Sequence, residues 1–161
     1  MKSVRFLAVA AAFFTANPSF ADVVSDMASS ANALLASLDK EQTSLATFKF
    51  NGKERTYWHF IPAEMLNGGS RKGLQIQQMT KQQRQLTHAL LKTVLSESGH
   101  TKMKNIMFLE DILFVLEGKN RRFVRDSEAY HILIFGKPGN KGAWGWRFEG
   151  HHLSFNYTIL N

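Results

Sequence analysis

The chain contains no cysteine, which excludes disulfides, thiolate metal sites and a lipid anchor on a leader-terminal thiol. Whatever holds the fold must be core packing, or metal bound by nitrogen and oxygen ligands. Proline is scarce, with three in the chain, and two of them, Pro62 and Pro138, fall where regular structure should stop. Acidic residues are outnumbered, 13 against 20 Lys and Arg. The basic excess sits in separated patches (Arg71-Lys72, Lys81 to Arg84, Lys102 to Lys104, Lys119 to Arg125) without the interleaved aromatics of a nucleic-acid platform, so they read as solvated faces with a weak attraction to anionic surfaces. Catalytic signatures are missing too. No phosphate-cradling GxxxxGK[ST] or GxGxxG occurs, no GxSxG elbow and no HExxH helix.

What is present begins with a leader. Lys2 and Arg5 precede an apolar run, Phe6 to Ala16, too short to span a bilayer, and Ser19-Phe20-Ala21 places small residues at the −3 and −1 positions before Asp22. The expectation is a secretory signal peptide over residues 1–21, cleaved after Ala21, and a secreted or periplasmic protein with no transmembrane segment once it is removed. Loss of Lys2 and Arg5 leaves 18 basic against 13 acidic residues, a net charge of +5. Residues 22–161 are enough for one domain with a real core, and the mean hydropathy of −0.22 is that of an ordinary globular chain.

Periodicity predicts helices first. Val23, Met27, Ala31, Leu34, Leu35, Leu38 and Leu45 fit one stripe over residues 22–46. Phe48 and Phe50 before Asn51-Gly52, with Thr56 to Ile61 beyond, predict a β-hairpin ended by Pro62. Gly68 to Gly73 predicts an exposed loop. Thr80 with Gln83 forms a capping-box pattern opening a helix that Gly99 should close, and Thr101 should cap another that runs to Gly118. On that last helix Glu110 and Glu117 share a face, which suits a solvated surface or, less simply, acid–base or cation chemistry. Tyr130 to Phe135 and Ala143 to Leu160 predict strands, the second hinged at Gly150, and the short loop between them makes an antiparallel pair. The class is α+β, amphipathic helices packed on a small, mostly antiparallel sheet.

Chemistry concentrates in Trp144–Asn156, WGWRFEGHHLSFN. In an extended strand Arg147, Glu149 and His151 share one face and Trp144, Trp146 and His152 the other. Glu149 and His151, two positions apart, are placed to chelate one divalent ion or to form a carboxylate-oriented histidine base. A third ligand would come from His59 or His131, with His100 a further candidate and His88 the poorest. The expected catalytic set is Glu149, His151, His152 and Arg147, with Arg147 gripping an anionic group bidentately, and Trp144, Trp146 and His59 walling a ligand pocket.

The same run, together with IFGKPG before it, the helix pattern MTKQQRQLTHALLKTVLSESG and the tract YWHFIP with its following RKGL, resembles a family of mostly exported bacterial proteins known as the domain of unknown function numbered 3500. The resemblance implies a fold and an exported protein, and no established activity. It further implies a longer domain, so that residues 22–161 are expected to be an incomplete version of it. Two functions stand open: a metal-assisted hydrolase or oxidoreductase acting on an unidentified small molecule, or a non-enzymatic binding or structural module in which the same residues form a buried network. A fragment without activity of its own is the third reading.

Overall fold

A computed structural model describes residues 20–68 and 70–160 of the chain. The leader expected over residues 1–21 lies, but for its last two positions, outside the described residues. Helix α1 spans Phe20–Ser37 and buries Met27, Ala31 and Leu34 of the predicted stripe, with Ala28 beside them. It does not run on to residue 46. At Asp39 the backbone turns extended, its carboxylate accepts from Gln42 N at 2.8 Å, and Gln42 Oε1 accepts in return from Asp39 N at 3.2 Å. This capping box starts a separate helix, α2 (Lys40–Ala46). A carboxylate that satisfies otherwise orphaned N–H groups competes well with one more helical turn.

The expected hairpin over residues 47–61 is also replaced. Only Thr47–Phe48 is strand (β1). Gly52 N closes a turn on Lys49 O at 3.0 Å, and a 3-10 turn, Lys53–Thr56, follows. Residues 57–62 do not return alongside β1; their polar backbone groups find partners elsewhere, as the site below shows. After a 3-10 turn at Ala63–Met65 comes the short strand β2 (Leu74–Gln75).

Helix α3 (Lys81–Lys92) opens on the predicted capping box, with Gln83 N donating to Thr80 Oγ1 at 3.3 Å and Thr80 N to Gln83 Oε1 at 2.8 Å. Its end and the next beginning differ from the expectation. Ser96 rather than Thr101 caps helix α4 (Glu97–Glu117), accepting from Gly99 N at 3.1 Å. Gly99 is therefore in the first turn of α4 and ends nothing. Gly118, with φ 59, does terminate α4 as predicted.

Strands β3 (His131–Gly136), β4 (Trp144–Gly150) and β5 (Leu153–Ile159) form an antiparallel meander. The free side of β3 carries two short strands, β2 antiparallel to its first half and β1 parallel to its second. The result is the α+β class expected, a mixed and mostly antiparallel sheet with helices on it. Every residue of β4 is buried, so both faces of the sheet are covered. On one face Ile132, Ile134, Trp144, Trp146 and Phe148 join Met27, Ala31, Leu34, Leu90, Leu91, Met103 and Met107 from the helices. Each large side chain so buried contributes about 2–3 kcal/mol before entropy is counted. The other face presents His131, Leu133, Arg147 and Glu149, in register His131↔Glu149 and Leu133↔Arg147, and is roofed by the irregular segment between β1 and β2. Among the described residues no helix is long and apolar enough to cross a membrane.

Candidate functional site

The two-residue side-chain alternation of β4 puts Arg147 and Glu149 together on the polar face, as the sequence predicts. What they meet there is protein. Arg147, fully buried, donates through Nη1 to Glu54 O at 2.9 Å and Tyr57 O at 3.0 Å, and through Nη2 to Glu54 Oε1 at 2.6 Å. Glu149 Oε2 accepts from the backbone N–H of His59 at 3.0 Å and lies 3.3 Å from Arg147 Nε. Burial pushes the Glu149 carboxyl up from its usual range, and Arg147 opposes the push. Dehydrating a carboxylate costs several kcal/mol, so two such groups persist in the interior only because each supplies the other's partner. Together they clamp the segment at Glu54–His59 onto the sheet. This is where the backbone of the missing hairpin strand is satisfied.

Gly150 and Leu153 pair, so His151 and His152 are the two residues of the β4–β5 turn rather than a continuation of either face. The expectation that Glu149 and His151 look out side by side is thereby overturned. Glu149 faces the roofing segment, while His151 reaches α4, where its Nδ1 lies 2.5 Å from Glu110 Oε1. His152 takes φ 61 and donates its backbone N–H to Phe60 O at 2.7 Å, and its ring stacks on that of His151 at 3.9 Å. A left-handed non-glycine residue costs of order 1 kcal/mol and marks a conformation that its surroundings impose.

Glu110, 2% exposed, is also held by Arg125, whose Nη1 is 3.3 Å from both Glu110 Oε2 and His151 Nδ1 and whose Nη2 is 2.6 Å from Glu117 Oε1. Glu117 and Glu110 in turn hold the Arg125 guanidinium firmly charged. Tyr130, stacked on Phe148 with centroids 5.9 Å apart, donates its hydroxyl to His151 O at 2.8 Å. Glu110, His151, Tyr130, His131 and Arg71 line a cavity of about 240 Å³.

The remaining predicted residues divide. His59 touches Glu149 through its backbone, not its ring. His131 pairs its Nε2 with Gln75 Nε2 at 3.1 Å, and burial pushes its pKa down to about 4. His100 on α4 meets His88 on α3, Nε2 to Nδ1, at 3.1 Å. Among the described residues no three His, Asp or Glu side chains are gathered to hold a metal ion, so the ligand set expected from Glu149, His151 and either His59 or His131 is not assembled. Trp144 and Trp146, expected to wall a ligand pocket, are 0% and 1% exposed within the helix-side core, where Trp144 Nε1 donates to Gly139 O at 2.9 Å and Trp146 stacks on Tyr157 at 4.7 Å. Even alternation sends them to the face the helices cover.

Sequence reasoning passed over Arg71, Arg125 and Tyr130. Glu110 was visible as one of two carboxylates seven apart on α4, but nothing in the spacing tied it to His151, 41 residues away.

A family profile described as a protein of unknown function (DUF3500) matches residues 20–161, and the chain belongs to that family. No curated protein and no solved structure matches the chain.

Proposed function

We propose that this is an exported protein that binds a small polar molecule in the cavity beside the β4–β5 turn and moves a proton on it, with His151 as general base and Glu110 as the carboxylate that orients it. The observation that carries this reading is the 2.5 Å contact between Glu110 Oε1 and His151 Nδ1 at the cavity wall. The Glu110 carboxylate, at 2.5 Å from Nδ1 against 3.3 Å for Arg125 Nη1 at the same nitrogen, holds the proton there and leaves the lone pair on Nε2, for which no hydrogen bond is found among the described residues. The Tyr130 hydroxyl holds the His151 backbone, and Arg125 holds Glu110, so the pair is fixed from both ends. The strained His152 beside it supports the same reading, since surroundings tolerate such a conformation most often at working sites. The chemistry that fits is base-assisted attack of water on a polar bond, a hydrolase-type step. The basic n-region and small-residue cleavage pattern support export.

Arg147 and the Oε2 side of Glu149 favour the other reading, that of a buried network fixing the strand pair, since they hold Glu54, Tyr57 and His59 against β4. In this they act as positioning groups for the roof of the sheet.

Selective carbethoxylation with mass-spectrometric mapping tests the proposal without knowledge of the substrate. His151 should react fastest of the six histidines, and Glu110→Gln should slow it while far-UV circular dichroism stays unchanged. Reaction at His151 no faster than at His131 would sink the idea. A panel of ester, amide and phosphoester substrates supplies the second arm, in which His151→Gln should lower any turnover found by about a hundredfold or more.

A further inference from the structure

Beside the His151 cavity lies another of about 270 Å³, lined by Tyr57, His59, Asn67, Ser70, Arg71 and Glu149 among others. Its walls hold polar atoms with nothing to bond to. Arg71 is 3% exposed in its side chain, yet its Nε has no hydrogen-bond partner among the described residues and stands 4.0 Å from Glu149 Oε1. His59 Nε2 is likewise buried and unpartnered. Glu149 receives its hydrogen bonds from His59 N and Ser154 at Oε2, while Oε1 receives none. Buried donors left unmade are costly and uncommon in native proteins. A donor, an acceptor and an imidazole nitrogen that takes either role idle around a single space and indicate a group that accepts from Arg71, donates to Glu149 and meets His59 in either sense.

The charges narrow the class. A free carboxylate or phosphate would meet Glu149 at close range, and an amine would meet Arg71. A hydroxyl meets neither objection, because it accepts and donates at once, and a separation of 4.0 Å is spanned by one oxygen hydrogen-bonded to both sides. Asn67 and Ser70 add neutral partners. Tyr57, its ring perpendicular to that of His59 with centroids 4.3 Å apart, is 46% exposed and so offers apolar surface at the rim of a polar cavity. The volume lies at the small end of ligand pockets, room for about one ring.

We propose that this cavity is a binding site for a neutral saccharide, one ring of which lies against Tyr57 with its hydroxyls between Arg71, His59 and Glu149. The site stands apart from the proton-transfer reading, with whose cavity it shares Ser70 and Arg71, and holds if His151 proves inert.

The test uses the full chain and a set of neutral monosaccharides and disaccharides at millimolar concentration, read by saturation-transfer NMR and calorimetry, with acetate, inorganic phosphate and glucosamine as charged competitors. At least one neutral sugar should bind, weakened about tenfold by Tyr57→Ala, and by His59→Phe, with thermal melting of both variants close to that of the parent. The charged probes should not displace it. Binding of acetate or phosphate in place of sugars would overturn the proposal. So would an absence of sugar binding, which would leave the cavity to ordered water, and so would affinity indifferent to both substitutions.

Discussion

Gly150→Ala is the sharpest single perturbation the fold offers. A Cβ built at Gly150 would lie 2.3 Å from Tyr130 Cδ1 and 2.6 Å from Cε1, far inside van der Waals contact, and the Tyr130 ring has nowhere to go. It is 1% exposed, stacked on Phe148, and tied by its hydroxyl to His151 O at 2.8 Å. Overpacking of this kind costs about 1–3 kcal/mol, and displacing the ring breaks a hydrogen bond worth about 1 kcal/mol more. A loss of about 2–4 kcal/mol is therefore expected, which for a chain of this length lowers the melting temperature by roughly 5–15 °C. Urea denaturation of the full chain measures it. Tyr130→Ala supplies the internal check. It removes the obstructing ring edge, so in the double variant the alanine should cost at least 1 kcal/mol less than it does alone, a coupling that residues in contact show and distant ones do not. Since Tyr130 also holds the His151 backbone, Gly150→Ala should slow carbethoxylation of His151 as well. A cost below about 0.5 kcal/mol, within the range of a neutral surface change, or strict additivity in the double variant, would refute the packing described.

Arg147→Met should destabilise by about 3–5 kcal/mol, because it removes the fully buried cation that Glu54 and Glu149 share, and Arg147→Met with Glu149→Met should recover part of that loss; chemical denaturation of the two variants decides. For His131, the folded pKa of about 4 lies below the ordinary 6.5, so between these values the unfolded chain binds the extra proton. Its contribution is thus present at pH 7 and lost as pH falls from about 6.5 towards 4, about 3 kcal/mol in all. His131→Gln should flatten that part of the stability profile, and urea midpoints at pH 7 and pH 4.5 should differ less than in the parent. His152→Gly relieves the left-handed strain at φ 61 and should leave stability unchanged or raise it by up to about 1 kcal/mol, measured by thermal melting; a loss above 1 kcal/mol would mean that the stack on His151 outweighs the strain.

Local pattern alone determined much of this protein. The Thr80 capping box, the stop at Gly118, the strands either side of Pro138, and the placing of Arg147 and Glu149 on one face all follow from interactions within a few residues, where periodicity and capping chemistry are complete. The α+β class follows from their order. What tertiary structure decided were the matters in which two local solutions are nearly equal in energy. Gln83 on α3, donating to Ser37 O at 2.8 Å and to Gln42 Oε1 at 2.7 Å, favoured the break at Asp39 over the helix that hydrophobic spacing would have continued. Residues 57–60, aromatic enough for a strand, gave their hydrogen bonds to Glu149 and the β4–β5 turn, because a buried carboxylate and arginine needed partners more than β1 needed a neighbour. His151 left the strand row because Gly150 pairs with Leu153, and it found Glu110 on a helix that no spacing connects to it. The residues with chemical capacity were legible in the sequence; which of them meet was set by the free energy of burying charge, and that depends on the whole chain.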